Sequence, residues 1–165
     1  MRRIATAFVS LALVGAFRGE LAAQEDVAAV RSEIERINAQ IERWYEAGHV
    51  DSIAAVMAED VWQLPPQMPP TVGREALRRF WSDAVGAGKW QFTLTTKDVV
   101  VSEPLAAERG TYALTFTPGP EAPEHFAEPF EDSGNYVVVW RKDPDGAWRV
   151  LWDAPVSTAG APPGN

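Results

Sequence analysis

The feature that most constrains the fold is a change in the spacing of apolar residues near the middle of the chain. From Val27 to Trp44, apolar residues recur every three or four positions, which places them on one face of an α-helix. From Trp90 onward, apolar and polar residues alternate, as in a strand with one buried face. Helices first and strands second favour an α+β fold with an antiparallel sheet.

The helical half divides into three predicted helices. The first covers residues 27–47, and Gly48 suits its C-terminal cap because glycine tolerates a left-handed backbone. Asp51 is placed to cap a short second helix. Prolines between positions 65 and 70 exclude a helix there, so we expect the third helix to open near Gly73.

The strand half contains strand-like segments at residues 90–95, 111–116, 136–140 and 148–152. The last two are joined by Asp143-Pro144-Asp145-Gly146, in which proline and glycine supply the backbone angles of a tight hairpin. The sequence therefore predicts an antiparallel meander after the three helices.

The N-terminus has the organisation of a secretory signal peptide. Arg2 and Arg3 precede an uncharged, largely apolar stretch at 4–17, and small residues follow near Ala23. That stretch, of about 14 residues, is shorter than the ~20 that a membrane-spanning helix needs. We therefore predict that residues 1–23 are a signal peptide, cleaved after Ala23 or Gln24, with Ala16 as an alternative site. We also predict that the protein is periplasmic or secreted and that the mature chain has no membrane span.

Composition limits the function of the remaining chain. We predict one domain at residues 24–157 and a disordered tail at 158–165, which is rich in proline and glycine. The absence of cysteine excludes disulfides, thiolate metal sites and thiol catalysis. A net charge of −8 argues against nucleic acid as a partner. We expect no cofactor.

An acidic, proline-rich segment at residues 118–132 contains His125. Its spacing of acids matches no recognised metal site, so we predict an exposed loop and no metal. Phe126 and Phe130 are unusual for such a loop. Two interpretations stay open, a lid over a pocket and a contact with a partner subunit.

The order of several short motifs resembles the NTF2-like superfamily, and within it the SnoaL-like and DUF4440-type proteins. The motifs are AGHVD at 47–51, AEDV at 58–61, GREAL at 73–77, GNYVVVW at 134–140 and DGAWRV at 145–150. The resemblance covers residues 27–157. It implies a cone in which three helices pack on a strongly curved antiparallel sheet, with a pocket at the wide end and frequent homodimers. It does not fix the activity, because one fold hosts many functions.

The ketosteroid isomerase branch gives the sharpest functional comparison. Those enzymes use a carboxylate base and a tyrosine in an oxyanion hole. Alignment on the shared motifs places the base position at Pro65 and the tyrosine position at Ile41. Neither side chain can perform that role, so isomerase chemistry of this type is disfavoured.

Asp153 is the predicted catalytic residue, because polyketide-cyclase-like members carry an acid on a late strand. Alternation places Arg149, Leu151 and Asp153 on one face, which the isomerase alignment turns toward the pocket. Apolar surroundings would raise the pKa of this carboxyl group toward a useful acid–base range. The structural alternative is that Asp153 pairs with an arginine or caps a turn near Pro155.

Three further residues are predicted to bind the ligand, a small apolar or aromatic molecule. Tyr45 lies one helical turn after Ile41 and should face the same cavity. Gln63 lies two positions before Pro65 on an extended segment and should share its facing. Trp81 matches a pocket aromatic residue of the isomerases, although its position favours a core role.

Two classes of function follow. In the first, the chain is an exported small-molecule-binding or small-molecule-transforming protein, with isomerase-, cyclase- or hydratase-type acid–base chemistry and an unidentified reaction. In the second, it is a non-catalytic dimerisation or interaction module that uses the convex face of its sheet. A deep, partly apolar pocket containing Asp153 would favour the first class.

Overall fold

A computed structural model describes residues 11–66 and 68–159 of the chain, with side chains described from Val27 onward. The elements are α1 Leu11–Ala47, α2 Val50–Ala55, β1 Met57–Gln63, β2 Thr71–Val72, α3 Arg74–Ala87, β3 Gly88–Ser102, β4 Leu105–Pro118, a 3-10 turn Glu124–Phe126, β5 Phe130–Lys142 and β6 Trp148–Ser157. The predicted α+β class, with three helices packed on one curved sheet, is confirmed.

The helices include the segments where the apolar spacing predicts them, but α1 begins at Leu11, before the predicted start at residue 27. Each helix buries one face. In α1, Ile34, Ile37 and Ile41 are buried, and the stripe ends on Tyr45. The predicted cap at Asp51 is wrong. His49 precedes α2, and the Asp51 carboxylate instead accepts a hydrogen bond from Arg78 Nε at 2.6 Å.

The six strands form one sheet in the order β2-β1-β6-β5-β4-β3. Every neighbouring pair is antiparallel except β1 and β6, which are parallel. The predicted hairpin is present, since Gly146 N donates to Asp143 O at 2.8 Å and Gly146 has φ of 83°. The sequence did not predict strand β1. This strand pairs with β6 and places Gln63 beside Asp153.

Shifts in register increase the curvature of the sheet. One shift, in the β3–β4 pair, lies between Thr96 and Asp98. Another, in the β5–β6 pair, lies between Val139 and Trp140 of β5, where β6 has one extra residue. A bulge of this kind bends its strand and changes which side chains face the concave side. The core lies between this concave side and the helices.

The acidic segment 118–132 is less loop-like than predicted. Phe130–Lys142 is a strand, so residues 130–132 belong to β5. Phe126, in the 3-10 turn, packs its ring against Trp90 and Phe116 with centroid separations of 5.9 and 5.3 Å. Phe126 is therefore partly buried by aromatic partners on β3 and β4, while most of the segment is exposed, as predicted.

Two predicted segments fall partly beyond the described part of the chain. Of the predicted signal peptide 1–23, residues 1–10 lie outside it, and so do residues 160–165 of the predicted tail. Both assignments stay predictions. Within the described residues, no helix combines the length and apolar character needed to cross a bilayer.

Candidate functional site

A cavity of about 280 Å³ lies between the helices and the concave side of the sheet. This volume is near the lower end of the range for small-molecule sites, ~300–1,000 Å³. Nine aromatic residues line its walls: Tyr45, Phe80, Trp81, Trp90, Phe92, Tyr112, Phe130, Tyr136 and Trp140. Met68 and Phe130, both well exposed, mark the side on which the cavity opens. Its size and lining suit a small, flat molecule.

All four residues singled out from the sequence line this cavity. Gln63 and Asp153 are register partners on β1 and β6. Tyr45 on α1 and Trp81 on α3 meet edge-to-face, with ring centroids 4.4 Å apart. The structure thus brings together residues 108 positions apart along the chain, from 45 to 153. Their roles in binding or catalysis stay predictions.

Asp153 faces the cavity because of the irregularity in β6. Val139 pairs with Trp152 but Trp140 pairs with Val150, so Leu151 is the extra residue. Val150 and Asp153 therefore both line the cavity, and Trp152 points outward with 52% of its surface exposed. The simple alternation that grouped Leu151 with Asp153 is wrong, although the position expected for Asp153 agrees with the structure.

Asp153 is a partly buried acid with little polar support. Its Oδ2 accepts one hydrogen bond, from Gln63 Nε2 at 3.3 Å. No lysine, arginine or histidine of the described residues forms an ion pair with it. Burial raises the pKa of Asp153 to about 6, the Gln63 hydrogen bond opposes that rise, and the charge of Glu108 adds to it. The arginine-pairing alternative is therefore not what the structure shows.

Two buried polar atoms of the cavity wall have no hydrogen-bond partner among the described residues. They are Gln63 Oε1, an acceptor, and Trp81 Nε1, a donor. Buried polar atoms are nearly always paired, so these two are places where a ligand or a water molecule would bind. Beside them, burial and the charge of Asp153 raise the pKa of the Tyr45 phenol well above its usual range. That phenol is a hydrogen-bond donor at neutral pH.

Sequence reasoning missed Glu108, which lies behind the cavity wall and is 1% exposed. Its Oε1 accepts hydrogen bonds from Asn38 Nδ2, Thr96 Oγ1 and Tyr136 OH at 2.8, 2.7 and 2.6 Å. Its Oε2 accepts one from Trp140 Nε1 at 3.0 Å. Neutral donors thus satisfy this carboxylate in place of a cation, as burial requires.

A signal for Glu108 was present in the sequence. Counting back by two from Phe116 along β4 passes Tyr112 and Gly110 and reaches Glu108, so strand alternation places it inside. Gly110 is part of the same arrangement, because a Cβ atom there would overlap the Tyr136 ring and Thr95 O. The glycine leaves room for Tyr136 to reach Glu108.

A second carboxylate, Asp132, lines the cavity on β5 and is well supported. It accepts hydrogen bonds from Tyr112 OH at 2.7 Å, Ser157 Oγ at 2.5 Å and the backbone N of Ser133 at 2.8 Å. Burial and the hydrogen bond to Asp132 raise the pKa of Tyr112 to about 12. Across the described residues, no three His, Asp or Glu side chains converge as metal ligands would.

Comparison with known proteins identifies the family. A family model described as a SnoaL-like domain matches residues 37–151, which is most of the chain. A search of curated proteins found no match.

Solved structures share the fold at low sequence identity. A protein of Novosphingobium aromaticivorans proposed to be a scytalone dehydratase has a TM-score of 0.69 at 20% identity, covering 81% of this chain and 88% of that one. An NTF2-like protein with a cystatin-like fold from the same species has a TM-score of 0.67 at 18% identity, covering 86% and 90%. A ketosteroid isomerase-like protein of Erwinia carotovora atroseptica has a TM-score of 0.64 at 16% identity, covering 81% and 97%. These likenesses show the fold alone.

Proposed function

The chain belongs to the SnoaL-like domain family, and from that premise we propose that it handles a small, largely apolar molecule with which Asp153 exchanges a proton. One observation carries the proposal. A carboxyl group without a cationic partner lies in the wall of an aromatic cavity, next to unpaired polar atoms of Gln63 and Trp81. Perturbed acids in such cavities are typical of acid–base sites.

The neighbouring groups give Asp153 a defined setting for acid–base work. With a pKa of about 6, the carboxyl group is mostly ionised at neutral pH and can accept a proton. Tyr45 keeps its proton and can donate a hydrogen bond to a ligand oxygen, as can Trp81 Nε1. Gln63 orients the carboxylate through its 3.3 Å hydrogen bond.

The names of two fold neighbours are consistent with this class of chemistry. One is proposed to be a dehydratase and one is called ketosteroid isomerase-like, and both descriptions imply proton transfer to or from a bound small molecule. In this chain, however, the resemblance places Ile41 and Pro65 at the positions of the isomerase tyrosine and base. Proton transfer in this chain is therefore assigned to Asp153, the less supported of the two cavity carboxylates.

The test compares wild type with Asp153→Asn by native mass spectrometry after gentle purification from exporting cells. We expect a small molecule to accompany the wild type, and the nearly isosteric variant to lose its binding or turnover while remaining folded. Asp98→Asn, on a partly exposed acid paired with Arg109 on β4, is the matched control. A variant that loses stability and keeps its ligand would make Asp153 a structural residue.

A second candidate, self-association, is supported by the convex face of the sheet. Register partners form a continuous apolar row across all six strands, consisting of Val100, Ala107, Val139, Trp152, Trp62 and Val72. Both tryptophans of this convex row are about half exposed, which is unusual for a surface that faces only water. We propose that a second copy of the chain covers the convex row in a homodimer.

Sedimentation of the wild type and Trp152→Glu tests this second candidate. We expect the wild type to sediment as a dimer and the variant as a monomer, because a glutamate would be buried without a partner. Ser82→Glu, on the exposed side of α3, is the control and should leave the dimer intact. A wild type that is monomeric at high concentration would contradict the proposal.

A further inference from the structure

The charge of the cavity wall is entirely of one sign. Asp132 and Asp153 line the cavity, and no lysine, arginine or histidine appears among its described lining residues. Glu108 adds a third carboxylate just behind the wall, bound to Tyr136 and Trp140. A ligand that carries a carboxylate or phosphate would meet only like charge there.

The three carboxylates differ in how well the protein supports them. Glu108 accepts four hydrogen bonds and Asp132 accepts three. Among the described residues, the Asp153 carboxylate accepts a single hydrogen bond, from Gln63 at 3.3 Å. Elsewhere, even exposed acids have arginine partners, such as Asp60 with Arg141 at 2.9 Å. Asp153 is thus the carboxylate of the cavity that has capacity left for a ligand.

Gln63 adds a second acceptor at the same place. Its Nε2 is used on Asp153, and its Oε1 is buried without a partner. Two acceptors on neighbouring side chains can both be satisfied by one ligand group only if that group has several N–H or O–H donors. An ammonium group has three donors and no acceptor, so it can satisfy both oxygens together, whereas a hydroxyl offers one donor.

The aromatic walls favour the same kind of ligand. Tyr45 and Trp81 lie edge-to-face, and Trp90 packs against Trp81 at 5.3 Å between ring centroids. Aromatic faces attract cations as well as apolar rings. A buried carboxylate is costly without a counter-charge, and a bound cation would supply one.

We propose that the cavity selects a hydrophobic amine in its protonated form, with the ammonium group held by Asp153 and Gln63 Oε1 and the apolar part against the aromatic walls. The inference rests on the proposed function of the same cavity and names its ligand class. It makes Gln63 a specificity-determining residue, and it predicts that anionic analogues are rejected.

Three probes that share one ring system test the charge preference. They are 2-naphthylmethylamine, which is a cation at pH 7.5, 2-naphthylmethanol, which is neutral, and 2-naphthoate, which is an anion. By isothermal titration calorimetry at low salt, we expect the amine to bind at least about tenfold more tightly than the alcohol. We expect no detectable binding of the naphthoate.

Two variants test which side chains distinguish the charged amine from the neutral alcohol. In Asp153→Asn, the amine should lose at least about tenfold in affinity, while the alcohol changes by less than about threefold. Gln63→Leu should weaken the amine more than the alcohol, because it removes the second acceptor. Asp98→Asn, remote from the cavity lining, should leave all three affinities unchanged.

The outcomes separate this inference from the proposed function. If wild type binds the alcohol as tightly as the amine, and Asp153→Asn weakens both, the amine inference is overturned and the proposed function stands. If Asp153→Asn keeps the full preference for the amine over the alcohol, Asp153 does not bind the ammonium group and the inference is overturned. Failure of all three probes to bind also overturns it, and the native mass spectrometry comparison then decides the proposed function.

Discussion

Gln63 and Asp153 are register partners across the parallel β1–β6 pair, and Gln63 Nε2 donates a 3.3 Å hydrogen bond to Asp153 Oδ2. This pairing fixes the carboxyl group at the wall of the cavity. It is also the only hydrogen bond that the described protein gives to that carboxyl group, which is why burial dominates its pKa.

The pH dependence of stability should reveal this carboxyl group. Its pKa is about 6 in the folded chain against 3.8 ordinarily, so between these values the folded state binds more protons than the unfolded state. The free energy of unfolding should therefore fall as pH rises from about 4 to about 6, by on the order of 2 kcal/mol from this group. Urea unfolding across this pH range measures the effect.

Asp153→Asn isolates the contribution of this residue. Other acids, such as Asp60 and Asp145, have lowered pKa values and act in the opposite direction at lower pH, so only the difference between variant and wild type is informative. The groups facing Asp153 are Tyr45, Tyr112, Tyr136 and Glu108. We expect the variant to be the more stable protein at pH 7.5 and the advantage to vanish near pH 4. An equal advantage at both pH values would exclude titration of Asp153 as the cause.

Glu108→Gln should destabilise the fold. The substitution replaces one acceptor oxygen by an NH₂ group among four donors, so at least one buried donor loses its partner. We expect a loss of roughly 2–3 kcal/mol in the free energy of unfolding. Chemical denaturation measures it, with Glu124→Gln in the exposed 3-10 turn as control. A loss no larger than that of the control would show that the four hydrogen bonds to Glu108 contribute little to stability.

Gly110→Ala tests the close approach that lets Tyr136 reach Glu108. An added methyl group would overlap the Tyr136 ring and neighbouring backbone, and both would have to move. We expect a cost of about 1–3 kcal/mol in the free energy of unfolding. Gly86→Ala in α3 is the matched control, since nothing lies within 4 Å of the added atom and alanine favours a helix. Equal melting temperatures for the two variants would refute the packing argument.

Export should leave a defined N-terminus. If residues 1–23 are a signal peptide, the mature protein begins at Gln24 or Glu25 and fractionates outside the cytoplasm. N-terminal sequencing of protein from the exporting host measures this directly. Recovery of intact chain starting at Met1 from the cytoplasm would contradict the prediction.

Much of the fold could be predicted because its signals are local. The apolar stripe of α1, the proline-rich break before α3 and the hairpin at Asp143–Gly146 each depend on residues close in sequence. Helical period and turn chemistry act between near neighbours, so they are legible without a structure. The placement of Tyr45 at the cavity followed from its helical spacing to Ile41, whereas that of Trp81 came from the resemblance to the isomerases.

The tertiary structure alone decided which residues of β6 face the cavity and what supports them. The extra residue at Leu151 resets the alternation, and it is defined only by the pairing of β6 with β5. Likewise, the donors around Glu108 come from α1, β3 and β5, which no short window of sequence brings together. Local periodicity in the sequence determined the helices and strands and the faces that they bury. The arrangement of the site depends on strand register and long-range hydrogen bonds, because their partners are distant in the chain.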